Sequence, residues 1–226
     1  MAIVIVARMD LPARQEMDIT TRKLFPAAGP RGWYVLLLGG PSGIGKTTAA
    51  ARVAQRLRAP WSMVDDLRLA LVRSGVPVPD ADAVGTFDAP GGLVALGEAM
   101  TPAIEVVIEN HVDQRIPVVI EGDGILPSLF DRPLVRARAT GARVRAVFLT
   151  EPDESVLLAN FRARDGDPRL ATWQDSAIPA HVHKNYLYGE WLTQEARHRG
   201  LPAVPARPWD SLPERIIAAA NDAGPV

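Results

Sequence analysis

Eight consecutive residues, Gly40-Pro-Ser-Gly-Ile-Gly-Lys-Thr47, bring together the groups needed to hold a polyphosphate. They match the spacing G-x-x-x-x-G-K-[ST] in full, and Thr48 follows. A polyphosphate carries several negative charges and must be gripped by many donors without a bulky wall. Gly40, Gly43 and Gly45 let the backbone turn its N–H groups inward, those of Ser42 and Ile44 included, as an anion nest. A helix beginning near Lys46 adds its positive end. The Lys46 ammonium reaches the outer phosphates and follows charge as it moves in a transition state. The Thr47 hydroxyl is placed to ligate Mg2+, and Thr48 is placed to contact the innermost phosphate. The pattern predicts a site for Mg·ATP.

Carboxylates and arginines elsewhere in the chain supply what phosphoryl transfer would further require. Asp65-Asp-Leu-Arg68 follows a short apolar run. A carboxylate there can accept a hydroxyl proton as the oxygen attacks phosphorus. Asp65 is the expected base, and Asp66 is expected to serve the helix start. Arg68 lies one helical turn on and can point at the same ligand, an anionic acceptor or the transferring group. Glu121 and Asp123 follow a second apolar run and can organise Mg2+ through water or contact an acceptor. Arg162, Arg164 and Arg169 surround the break Asp165-Gly-Asp-Pro168. A lid there would close over the nucleotide, with Arg162 and Arg164 supplying positive charge.

The elements that must position these groups are legible from hydrophobic periodicity. Tyr34–Leu38 is a continuous apolar run, as a strand buried on both faces requires. A helix is expected over Lys46–Leu57, a strand over Trp61–Val64 and a helix from Asp65–Asp66 to about Arg73. Leu93 to Val112 repeats at helical spacing, and Pro117–Ile120 is a third strand. Another helix is expected after Pro127. Arg143–Leu149 reads as a fourth strand whose alternating polar residues place it nearer an edge. Thr150 is expected to cap the next helix, with Pro152 and Asp153 in its first turn. A late helix runs from near Pro179 to His198, with Tyr188, Trp191 and Leu192 on one face. Pro202–Ala206 is a fifth strand, and Ser211-Leu-Pro-Glu214 is a capping box for the last helix. Strands alternating with helices imply a parallel sheet covered on both faces. The expected fold is therefore α/β of the P-loop NTPase kind, with five parallel strands in the order 2-3-1-4-5. Residues 1–32 read as an N-terminal extension and 33–226 as the P-loop domain.

Composition narrows the function classes. The chain of 226 residues has a formal net charge of −1, against a broad nucleic-acid surface, and no cysteine, which excludes disulfides and thiolate metal sites. His111, His181, His183 and His198 form no recognisable metal motif. No unbroken apolar run reaches the ~18 residues of a membrane span, and Met1-Ala-Ile-Val-Ile-Val6 is too short for a signal-peptide core and lacks a basic lead and a cleavage site. With the near-neutral charge, a cytoplasmic protein with neither membrane nor nucleic-acid partner is expected. The three lysines, Lys23, Lys46 and Lys184, leave no N-K-x-D guanine motif. Neither the apolar run ending in two acids nor the extra helical modules of a motor ATPase is present.

The phosphate loop, the Asp65-to-Arg68 element, Val118-Val-Ile-Glu-Gly122 with Leu126-Pro127, and the stretch Tyr186 to Pro202 resemble 2-phosphoglycerate kinase and its relatives among P-loop kinases. The D-x-x-R element is also seen in polynucleotide kinases and zeta-toxin-like kinases, and uridine-kinase-like proteins share parts of the pattern. The resemblance spans roughly residues 33–222. It implies the P-loop fold, ATP with Mg2+, and transfer of the γ-phosphate to a hydroxyl, with the aspartate of that element as base. The chain departs from the pattern at Asp123-Gly124, where an apolar residue and often His is expected, and over 76–90. The acceptor therefore stays open among a phosphoglycerate-like acid, a nucleoside, a sugar and a hydroxylated natural product such as an antibiotic. A nucleotide-dependent regulatory ATPase and a 5′-hydroxyl polynucleotide kinase are the alternatives. Trp209, near the last strand and helix, is placed either in an adenine pocket or in the core.

Overall fold

The computed structural model of the protein describes residues 32–81, 91–139, 143–163 and 177–223. Five strands form one parallel sheet: β1 (Val35–Gly39), β2 (Trp61–Met63), β3 (Val118–Gly122), β4 (Val144–Thr150) and β5 (Ala203–Pro205). Their spatial order is β2-β3-β1-β4-β5. Every pairing is parallel, with Leu38 opposite Glu121 and Gly39 opposite Gly122. That register sets the end of β1, where the phosphate loop begins, beside the carboxylates that end β3.

Period-two alternation divides the apolar strand residues between two cores. Leu36, Leu38, Val119, Val147 and Leu149 face α1 (Lys46–Leu57), α5 (Glu154–Arg162) and α7 (Leu212–Asp222). Val35, Leu37, Val118, Ile120 and Phe148 face α3 (Gly91–Gln114), α4 (Pro133–Ala139) and α6 (Ala177–His198). The remaining helix, α2 (Val64–Arg73), leans Leu67 and Leu71 against the second core. Burial on both faces is why these strands read as unbroken apolar runs. By length and composition α3 could cross a membrane. Its Met100, Ile104 and Ile108 are instead fully buried against the sheet, as in a core helix.

Several local expectations are corrected. The chain after Pro127 forms a short 3-10 helix, Pro127–Asp131, before α4, so the segment is two elements. Thr150 is the last residue of β4 and caps nothing. Asp153 caps α5, accepting from the Ser155 amide at 3.0 Å. The capping box before α7 does not form: Ser211 makes no side-chain cap bond, and Glu214 pairs with Arg56 of α1 at 2.7 Å. A tertiary ion partner has taken the carboxylate that the local motif would use. β4 lies one strand in from the edge. Its outer neighbour β5 covers only Phe148–Thr150, so the half holding Arg145 is paired on one side.

The end of β3 admits no side chain at Gly122. A Cβ built there would lie 2.5 Å from the Cβ of Val64, the first residue of α2. Gly122→Ala is expected to cost about 1–3 kcal/mol of stability by overpacking. A denaturant melt indistinguishable from the unsubstituted protein would refute this.

Candidate active site

A cleft of about 1010 Å³ opens above the carboxyl ends of β1, β2 and β3. This is where a parallel sheet leaves room for a ligand. The phosphate loop forms its floor, with Ser42, Gly43, Gly45, Lys46, Thr47 and Thr48 on the lining. Gly43 sits at φ 85°, a left-handed conformation. A Cβ there would also meet the Phe161 ring at 2.5 Å. Conformation and space together require glycine. Of the loop residues expected at the site, Gly40 and Ile44 do not line the cleft. The Ile44 side chain is fully buried in the core, which leaves its backbone for the nest.

The carboxylates converge on the loop from the neighbouring strands. Thr47 Oγ1 donates to Glu121 Oε1 at 2.8 Å. Lys46 Nζ donates to the Pro41 carbonyl at 2.8 Å and to Asp123 Oδ1. Asp65 and Arg68 also line the cleft, with 3.5 Å between Asp65 Oδ1 and Arg68 Nε. Asp65 keeps 66% of its side chain exposed, so its carboxylate is open to solvent in the cleft. Asp66 is exposed and does not line the cleft. Arg162, the last residue of α5, is also exposed and off the lining, which takes Asn160, Phe161 and Ala163 from that segment. Arg164 and Arg169 lie outside the described residues.

Burial pushes the Glu121 carboxyl above its ordinary value of 4.5; Lys46 and the Thr47 hydroxyl oppose the shift, and Asp123 and Asp65 add to it. A raised folded value means that the folded state holds the proton more tightly than the unfolded chain. That contribution to stability is present at low pH and is lost as pH rises through the raised value. At neutral pH an ionised Glu121 therefore destabilises the fold. Glu121→Gln is expected to raise the melting temperature at pH 7, by an amount that shrinks as pH falls toward 4.5. A gain that is absent at pH 7, or that stays constant with pH, would refute the assignment.

Three positioning residues escaped the sequence reading. Asn185 of α6 is fully buried, and its Oδ1 accepts from the Ser42 amide at 3.0 Å. Its Nδ2 is anchored on the His181 carbonyl at 2.9 Å. Asn160 Nδ2 of α5 donates to the Gly43 carbonyl at 3.0 Å. The Tyr188 hydroxyl donates to the Asp123 carbonyl, with burial pushing that phenol well above its ordinary range. A signal for Asn185 was present: it interrupts the buried series Val182, Gly189, Leu192 and Ala196 on one helix face. Trp209 lines the cleft and also packs partly against the core.

A parallel sheet in this order, with Gly40–Thr47 joining β1 to α1, defines the P-loop NTPase fold. No protein-family model matches the chain, and no curated protein matches it. Solved structures similar to it include a gluconokinase from Sinorhizobium meliloti 1021, at 21% identity over 84% of this chain and 91% of that one, with a TM-score of 0.45. A shikimate kinase from Bacteroides thetaiotaomicron is 19% identical over 83% and 98%, with a TM-score of 0.46. A sugar kinase from Janibacter sp. HTCC2649 is 17% identical over 85% and 96%, with a TM-score of 0.44.

Proposed function

We propose that residues 33–226 form a kinase that transfers the γ-phosphate of ATP to a hydroxyl of a small molecule. The observation that carries this reading is the convergence, in one cleft, of Lys46 and Thr47 with the carboxylates of Asp65, Glu121 and Asp123. The phosphate-loop amides and Lys46 bind the triphosphate. Thr47 Oγ1 and Glu121 Oε1, hard oxygens 2.8 Å apart, suit Mg2+. Thr47 would ligate it directly and Glu121 through water. When bound, the ion neutralises charge on the β- and γ-phosphate oxygens. Asp65 takes the proton from the acceptor hydroxyl while that oxygen bonds to the γ-phosphorus. The bond from the γ-phosphorus to the bridging oxygen breaks, and ADP leaves. Arg68 steadies the acceptor or the group in flight, and Arg162 and Arg164 are the proposed lid cations.

The carboxylates of Asp65, Glu121 and Asp123 line the cleft and Arg68 pairs with Asp65, and in the proposed reading they border the acceptor. This charge favours neutral or amino-bearing hydroxylated acceptors, such as nucleosides, sugars and antibiotics, over phosphoglycerate-like acids. An ADP-release assay across phosphoglycerates, gluconate, shikimate, sugars, nucleosides and aminoglycosides, with product masses measured, tests the reading. A product heavier by one phosphate supports it. ATP hydrolysis that needs a protein partner and leaves every compound unmodified would replace it with a regulatory ATPase. Phosphate found only on 5′-hydroxyl oligonucleotides would make it a polynucleotide kinase.

A further inference from the structure

Asp123 occupies the ammonium that the phosphate loop must offer to nucleotide. Lys46 is 7% exposed at its side chain and has two oxygen partners, the Pro41 carbonyl and the Asp123 carboxylate. Glu121, the carboxylate at the end of β3, pairs instead with Thr47. Asp123 lies two residues beyond that strand-end acid, on the chain that turns away from the sheet. Its main chain is pinned from behind by the buried Tyr188 hydroxyl, and the adjoining Gly122 is packed against Val64. Its side chain is 30% exposed toward the cleft. The backbone is thus held while the carboxylate, paired with Lys46, borders the open cleft.

Resting on the reading of the loop as a nucleotide site, we propose that Asp123 is a displaceable counter-ion of Lys46 that sets nucleotide affinity. The phosphate oxygens and the Asp123 carboxylate compete for one nitrogen. Binding requires Lys46 to exchange one anion for another, and Asp123 swings toward the open cleft. Two consequences separate this from a merely structural role. Removing the charge on Asp123 strengthens binding of ligands that carry β- and γ-phosphates. It leaves binding of a ligand without phosphates unchanged.

Asp123→Asn keeps the shape of the side chain and removes its charge. Calorimetry on the full chain is expected to give a Kd for Mg·ATP about tenfold lower than for the unsubstituted protein. Adenosine is expected to bind both proteins alike. Asp123→Ser, checked for folding by its melting temperature, should show the same split. An unchanged or weaker Mg·ATP affinity in a folded variant overturns the proposal while leaving the kinase reading in place. An equal gain for adenosine and Mg·ATP overturns it as well, because the effect would then be on pocket shape. Failure of the unsubstituted protein and of both variants to bind Mg·ATP removes the nucleotide reading and the proposal together. With three lysines in the chain, lysine 13Cε resonances provide an independent check. The Lys46 signal should shift in Asp123→Asn, and an unmoved signal would show that the two side chains do not pair in solution.

Discussion

Replacing Lys46 by Met is expected to lower kcat by roughly 10²- to 10³-fold, the effect of losing a transition-state charge donor, if Lys46 acts as proposed. Met keeps the apolar stem that lies buried beside the loop. The fold should therefore survive, and a circular-dichroism melt run beside the kinetics checks that it does. The substitution also removes the partner of Asp123 and a donor to the Pro41 carbonyl. A moderate fall in melting temperature is thus compatible with the assignment, whereas near-normal turnover in a folded variant is not. Binding should weaken most for nucleotides with a γ-phosphate, where the proposed reading puts the ammonium.

Asp65→Asn is expected to reduce kcat by roughly 10²- to 10⁴-fold, the range for loss of a positioned general base, with little change in the Kd for Mg·ATP. The prediction rests on placement: Asp65 lines the cleft and Asp66 does not. Asp66→Asn serves as the paired control and should behave like the unsubstituted protein. If Asp66→Asn proves the severe variant, the base lies one residue further along α2 and the geometry of the acceptor wall must be redrawn. If both variants keep full turnover, no acid at the start of α2 takes the proton. Comparing kcat and Kd separates a base from a residue that merely shapes the nucleotide pocket.

The elements nearest the chemistry were the most legible. The Gly-rich pattern, the apolar run before it and the Ala-rich helix after it are local features, and α1 begins and ends where its periodicity predicted. Strand order was also within reach, because apolar runs alternating with helices leave few ways to build a parallel sheet. Local signals failed where tertiary pairing intervened, an ion partner on another helix in one case and the pairing of β4 with β5, which holds Thr150 in the strand, in the other. Glu214 turned to Arg56 rather than closing its capping box, and Asp153 rather than Thr150 capped α5.

From its sequence alone the chain declared a phosphate loop, the strand and helix that hold it, and the acids and arginines available for transfer, since each depends on residues adjacent in the chain. Only the tertiary structure decided which of those acids meet the loop. The register of β1 with β3 brings Glu121 to Thr47 and Asp123 to Lys46 across more than seventy residues. The same holds for Asn185 and Asn160, which brace the loop from α6 and α5. Hydrogen-bond and ion-pair partners of this kind are selected by how helices pack on the sheet, and no spacing along the chain encodes that packing.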